Sequence, residues 1–87
     1  MAVSFPNRSR SYDAARQLIC FWGHDDFLES TFLVAAGALA RIEPNLQADE
    51  SGFLRVFDNN RDLIYAAAAK IYSRGRRGAY LLNAGDF

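Results

Sequence analysis

The chain has 87 residues, of which 51% are apolar and 14% aromatic, a composition that excludes intrinsic disorder and suits one domain spanning residues 1–87. Ten basic and ten acidic residues give zero formal net charge, so no overall charge attracts nucleic acid or acidic lipid. The single cysteine, Cys20, excludes an intrachain disulfide and a cysteine-based metal cluster. No segment has the apolar core of a signal peptide or of a membrane span, so we expect a cytoplasmic protein without a membrane partner.

The N-terminal half of the chain predicts three strands. A short strand is expected at Ser11-Tyr12-Asp13. Gln17 to Gly23 is an apolar run typical of a strand, and Phe27 to Val34 alternates apolar and polar residues. Because Gly23-His24-Asp25-Asp26 has the composition of a turn, these two strands are predicted to form a hairpin. A last strand is predicted at Ala79 to Ala84, after the helices.

Two helices are predicted between the third and the last strand. Ala35 to Glu43 is a short helix that ends before Pro44. Ser51 to Arg74 has apolar residues at spacings of three, four and seven, which is the pattern of an amphipathic helix, with Asp49 as its N-cap. Asn59-Asn60 are poor helix formers, so this segment is either continuous or broken there. Its water-facing side is predicted to carry Arg55, Asp58, Arg61, Asp62 and Lys70.

The order β-β-β-α-α-β predicts an α+β fold, an antiparallel sheet of about four strands with helices packed on one face. The order of the strands within the sheet stays open. A continuous helix from Phe53 to Ile71 would measure about 27 Å, whereas four strands measure only about 15–20 Å across. An overhanging apolar helix end would require a partner, which is a first indication of a homodimer.

Four stretches carry a family resemblance: FPNRSRSYDAAR, FWGHD, AAAAKIYSRGRRGAY and the terminal DF. With these motifs the whole chain resembles the small bacterial proteins of domain-of-unknown-function family 1488. The resemblance implies a compact cytoplasmic α+β fold with no established activity and no assigned catalytic residues. The sequence departs from the family pattern at Ala36-Gly37, where an acidic residue is expected near the helix start.

The strongest candidate for a functional surface is the second face of the sheet. The strand around Cys20 is apolar on both sides, so if Ile19 and Phe21 face the helices, the alternate residues face away from them. Helices on one side only would leave this second face bare, as an exposed apolar patch of the kind found at protein interfaces. Its predicted members are Leu18, Cys20, Trp22, Leu33 and Leu81. In the alternative arrangement, the N-terminal arm covers Trp22 through Phe5.

No set of residues predicts catalysis, and we expect no catalytic residue, cofactor or metal. His24-Asp25-Asp26 is the one cluster of a histidine with carboxylates; it suits a metal or acid–base chemistry less well than a solvated turn, since neighbouring turn residues point apart. Cys20 lies roughly 13 Å from His24 along an extended strand, too far for a nucleophile–base pair.

The one basic patch is Arg74, Arg76 and Arg77, which lies close to aromatic residues and follows the long helix. It would suit RNA or single-stranded DNA, although arginines after a helix are also favoured by the helix dipole alone. The leading hypothesis is therefore a non-enzymatic protein-interaction module, partnered by a second copy of itself or by another protein. Weak binding of RNA or single-stranded DNA through the three arginines is the alternative.

Overall fold

The computed structural model describes residues 3–73 and 78–87. Within them, four strands form one sheet and three helices pack on one of its faces. The strands β1, β2, β3 and β4 are Arg10–Asp13, Leu18–Asp25, Leu28–Ala35 and Tyr80–Leu82. The helices α1, α2 and α3 are Ala36–Ile42, Glu50–Asn59 and Arg61–Ile71, and a short 3₁₀ helix, Ala84–Asp86, follows β4. The predicted α+β class is confirmed.

The strands lie in the sheet in chain order, β1-β2-β3-β4. β1 pairs with β2, and β2 with β3, in antiparallel orientation, whereas β3 and β4 are parallel. The sheet is thus mostly antiparallel, as predicted, with one parallel pair that the sequence did not reveal. β3 and β4 can be parallel because a long connection, which contains α1, α2 and α3, crosses over between them.

The β2–β3 hairpin closes later than predicted. Residues 23–25, assigned to the turn from their composition, belong to β2, and the turn itself is Asp26 and Phe27. Asp26 has a positive φ of 55°, a conformation that Asp tolerates better than most residues. Gly23 suits the strand because a Cβ at this position would lie 2.8 Å from the Phe5 ring, which packs directly over it.

The long helical segment is broken, which settles the alternative left open by the sequence. α2 ends at Asn59, and α3 begins after one intervening residue, Asn60. The Asn60 side-chain amide donates hydrogen bonds to the carbonyl oxygen of Val56 at 2.9 Å and to the carboxylate of Glu43 at 2.8 Å. These bonds hold the break and tie it to the end of α1. The predicted end of the segment at Arg74 lies outside the described residues.

The ends of the helices agree with the sequence signals to different degrees. α1 begins at Ala36 with no side-chain cap and no acidic residue in its first turn, in line with the departure from the family pattern at this point. It ends at Ile42, two residues before Pro44. α2 is capped as predicted, since the Asp49 carboxylate accepts a hydrogen bond from the N–H of Gly52 at 2.8 Å.

The hydrophobic core lies between the helices and one face of the sheet. Alternate residues of β2, β3 and β4 point into it, so the two-residue period of the strands selects the core members. From the strands these are Ile19, Phe21, Phe32, Val34, Tyr80 and Leu82, and from the helices Ala38, Leu39, Phe53, Val56, Phe57, Ile64, Ala67 and Ala68, with Tyr72 beyond α3.

The N-terminal arm, residues 3–9, is held against this two-layer body. Ser4 and His24 exchange two backbone hydrogen bonds of 2.8 Å, an isolated antiparallel bridge at the edge of β2. The Phe5 ring stacks on Tyr65, with centroids 4.4 Å apart, and meets the edge of Phe32 at 5.5 Å. The arm is therefore an edge segment that completes the aromatic part of the core.

The C-terminal strand is shorter than the predicted Ala79 to Ala84. After β4, the side chain and backbone of Asn83 form a reciprocal capping box with Asp86, which starts the 3₁₀ helix. In the part of the chain that the structure describes, no helix combines the length and apolar character needed to span a membrane.

Candidate functional site

The face of the sheet opposite the helices, which we call the outer face, carries the five predicted interface residues. Leu18, Cys20 and Trp22 alternate along β2 with residues of the core. The register pairs Cys20 with Leu33, and Leu33 with Leu81. Because cross-strand pairs on one face lie within contact distance, Cys20, Leu33 and Leu81 form a continuous apolar row over β2, β3 and β4. Leu18 and Trp22 extend this apolar row along β2 on either side of Cys20.

The outer face has no covering element among the described residues. Leu81 is 44% exposed and the other four predicted residues are half-buried, and none of the five belongs to the core cluster or packs against it. The apolar row is bordered by polar residues: Asp13 pairs with Leu18 at one end, and His24 pairs with Glu29 at the other. An apolar centre with a polar rim is the usual composition of a protein interface.

The alternative in which Phe5 covers Trp22 is wrong. The Phe5 ring contacts Phe21, Phe32 and Tyr65, with centroids 4.4 to 6.0 Å apart. These rings belong to the helix side of the sheet, whereas Trp22 points to the outer face. The arm therefore closes the core and leaves the outer face uncovered.

Cys20 lies at the middle of the outer face. Burial raises the pKa of its thiol, so the reactive thiolate is scarce at neutral pH. Its neighbours across the strands are Ser11 and Leu33. His24 lies on the same face but four residues further along β2, at about 13 Å. With these neighbours, Cys20 is an apolar side chain of the strand and has no base beside it.

His24, Asp25 and Asp26 do not form the predicted turn together, because β2 extends to Asp25 and sends the side chains of His24 and Asp25 to opposite faces of the sheet. His24 points to the outer face, where its Nε2 lies 3.5 Å from the Glu29 carboxylate. Asp25 is buried on the helix side and accepts a hydrogen bond of 2.8 Å from the Tyr72 hydroxyl. Among residues 3–73 and 78–87, no group of three or more His, Cys, Asp and Glu side chains lies close enough to hold a metal ion.

The candidate nucleic-acid contact, Arg74, Arg76 and Arg77, lies outside the described residues. Its predicted role stays a prediction from the sequence.

An ion-pair network at the α2–α3 break was not predicted. Arg61, assigned to the water-facing side of the helix, is only 8% exposed. Its guanidinium lies 4.9 Å from the centroid of the Phe57 ring and donates hydrogen bonds to the Tyr65 hydroxyl at 2.6 Å and to Asp58 at 2.8 Å. A third bond, of 2.9 Å, reaches the carbonyl oxygen of Arg8 in the arm. The helix break turns Arg61 toward the arm, which a continuous helical pattern does not show.

Asp58 joins this network to β1. Arg10 donates two hydrogen bonds, of 3.1 and 2.9 Å, to the two carboxylate oxygens of Asp58. Partial burial alone would raise the pKa of Asp58, but the bonds from Arg10 and Arg61 outweigh it and hold the pKa below its usual value. The three hydrogen bonds that Arg61 donates in this network all go to groups of the fold, so we assign the network a structural role. The signal available in the sequence was the spacing of three between Asp58 and Arg61.

Three comparisons relate the chain to known proteins. A family model described as "Protein of unknown function (DUF1488)" matches residues 3–82. No curated protein matches the chain, and no solved structure matches it. The matched region includes every strand and every helix longer than one turn, so the family model covers the whole two-layer body described above.

Proposed function

The chain belongs to the DUF1488 family of proteins of unknown function, and from that premise we propose that it is a non-enzymatic interaction module that pairs with a second copy of itself through the outer face. The observation that carries the proposal is the continuous apolar row on a sheet face that no described element covers. A cytoplasmic location is part of the proposal, because a reducing compartment keeps an unpaired cysteine such as Cys20 as a thiol.

The size of the face indicates a weak pair. The four strands contribute 4, 8, 8 and 3 residues, and at about 4.8 Å between strands and 3.3 Å per residue they give a face of roughly 360 Å². Two such faces would bury about 700 Å², below the ~1,000 Å² of a stable specific interface and in the range of transient pairs. Since a two-fold axis brings the same surface of both copies together, the face must complement itself, as a flat apolar centre does. We therefore expect a dimer with a dissociation constant in the micromolar range.

The test is light scattering on a size-exclusion column over a range of loading concentrations, with absorbance recorded at 260 and 280 nm. The expected mass of wild type rises from 9.7 kDa toward twice that value. Because Trp22 is the one tryptophan of the chain, its fluorescence should shift to shorter wavelength over the same concentration range.

The variant Trp22→Lys should be a soluble monomer, since a buried interfacial tryptophan commonly contributes enough for a loss of about 30-fold or more in affinity. Leu63→Lys is the matched control: Leu63 is 49% exposed on α3, on the other side of the molecule, and its substitution should leave the dimer intact. A wild type that stays monomeric, or a dimeric Trp22→Lys variant, contradicts the proposal. A monomer that carries excess absorbance at 260 nm would favour the alternative, nucleic-acid binding through Arg74, Arg76 and Arg77.

A further inference from the structure

β1 forms one edge of the sheet, and the hydrogen bonds of its neighbour show which way its backbone points. On the side of β2 that faces β1, Ser4 and His24 exchange two backbone hydrogen bonds of 2.8 Å. Backbone groups alternate in direction along a strand, so Cys20, four residues before His24, points its N–H and C=O to the same side. Cys20 pairs with Ser11. The backbone of Ser11 is therefore bonded to β2, and the two residues beside it direct their backbone groups away from the sheet.

These two residues, Arg10 and Tyr12, each leave one N–H and one C=O at the open edge. Among the residues that the structure describes, none forms a hydrogen bond with these four groups. A strand edge of this kind is a template for pairing with a further strand. The two side chains lie on the helix side of the sheet, where Arg10 binds Asp58 and the Tyr12 ring stacks on Phe53. Neither side chain therefore covers the edge.

The helix layer leaves room for a further strand beside β1. A groove of about 360 Å³ lies between this edge and α2. Its lining consists of one residue of β1 and one side of α2: Arg10, Ser51, Leu54, Arg55, Asp58 and Asn59. The side chains of an added strand that point to the helix side would enter this groove.

We propose that a second copy of this chain adds its β1 to this edge, in antiparallel orientation about a two-fold axis at Ser11. The backbone sets the register: Arg10 pairs with the partner's Tyr12, and the two pairs of this kind make four hydrogen bonds across the axis. The same register places each Arg10 guanidinium near a tyrosine ring, which attracts a cation. Ser11 faces the partner's Ser11 as a non-hydrogen-bonded pair. The open edge is thus complementary to itself, as a two-fold contact requires.

The area of the outer face is a second reason why the added strand belongs to another copy of the chain. Because the axis stands perpendicular to the sheet, both outer faces turn to the same side and form one continuous surface of about 700 Å². Two such surfaces would bury about 1,400 Å² on packing together, within the range of stable specific interfaces. Four backbone hydrogen bonds alone make a small contact, so edge pairing should follow face pairing as the concentration rises. This gain in area rests on the proposed function, whereas the register of the edge does not.

A disulfide at the axis tests the edge contact. The Cα atoms of a non-hydrogen-bonded antiparallel pair lie about 4.5 Å apart, which suits a disulfide, whereas sheets packed face to face lie about 10 Å apart, which does not. In a Cys20→Ala background, Ser11→Cys should therefore oxidise to a covalent dimer in a glutathione redox buffer. Ala15→Cys is the matched control: residues 11 and 15 are both exposed, but residue 15 lies beyond Asp13, whose two copies would be roughly 13 Å apart at 3.3 Å per residue.

The expected result on a non-reducing gel is a covalent dimer of Ser11→Cys and a monomer of Ala15→Cys. In light scattering, the mass of wild type should continue to rise beyond twice 9.7 kDa at the highest concentrations. Equal linking of the two variants, or an unlinked Ser11→Cys protein, would overturn the edge contact; the face-to-face pair still stands if Trp22→Lys lowers the mass. If Ser11→Cys is linked but Trp22→Lys leaves the mass unchanged, the outer face fails and the edge contact stands.

Discussion

Replacing Gly52 with alanine tests how closely the linker before α2 packs on that helix. A Cβ at this position would overlap the carbonyl oxygen of Gln47 and lie 2.7 Å from its carbonyl carbon. The linker is folded back here, since the N–H of Asp49 donates to the same Gln47 oxygen at 2.9 Å. Because the obstacle is backbone, a change of side-chain rotamer cannot relieve the overlap, and the linker itself must move.

The expected loss in the free energy of unfolding of Gly52→Ala has three contributions. Forcing a methyl group into a filled site costs about 1–3 kcal/mol. Moving the linker also strains the Asp49 cap on the Gly52 N–H, for which about 1 kcal/mol is typical. The better helix propensity of alanine offsets about 1 kcal/mol of this sum. The expected net loss is about 1–3 kcal/mol, a large share of a total stability on the order of 4–13 kcal/mol.

Urea unfolding measures this loss, and Gly37 supplies the control with the same substitution. No atom lies within 4 Å of a Cβ added at Gly37 in α1, so Gly37→Ala should be neutral or stabilise the protein by up to about 1 kcal/mol. The two variants should therefore shift the midpoint in opposite directions. Equal shifts, or a stabilised Gly52→Ala protein, would show that the linker does not pack as described.

Two further predictions concern the arm and its network. Because its pKa is lowered in the folded state, Asp58 adds stability above the ordinary value of 3.8 and loses that contribution as the pH falls below it. Asp58→Asn should thus cost about 1 kcal/mol at pH 7 and less at pH 2; an equal cost by urea unfolding at both pH values would contradict this. Phe5→Ala should cost about 2–4 kcal/mol, since it removes the ring stacked on Tyr65, whereas Phe27→Ala should cost nothing because Phe27 is fully exposed. A similar midpoint for both variants would exclude a packing role for the arm.

The outer face could be predicted because the strand period of two needs no tertiary information. Once Ile19 and Phe21 are assigned to the core, Cys20 and its alternate neighbours must point away. The position of Leu81 beside Leu33 depended on which strand β4 joins, and the sequence left this open. The local pattern was therefore enough to predict which side chains of β2 point away from the core. The width of the outer face, in contrast, depends on the parallel pairing of β3 and β4.

The errors in the prediction came from long-range contacts. Gly23 and Asp25 have turn composition, but Phe5 covers the glycine and Tyr72 binds the carboxylate, so both remain in β2. The break at Asn60 was one of the two alternatives left open, and only its hydrogen bond to Glu43, 17 residues earlier, could not be read from the sequence. Arg61 was assigned to water because one of its partners, the Arg8 carbonyl, is 53 residues away. None of these partners leaves a mark on the local sequence pattern.

The parallel pairing of β3 with β4 has a consequence for the order in which the chain folds. β2 and β3 are joined by a two-residue turn, and hairpins of this kind form in about 1–10 μs. β4 has only three residues and must wait until the chain between Ala35 and Tyr80 has packed, because a long loop has to close before its contacts form. Amide hydrogen exchange should therefore be slowest in β2 and fastest, among the strands, in β4, which makes the C-terminal strand the last to join and the first to open.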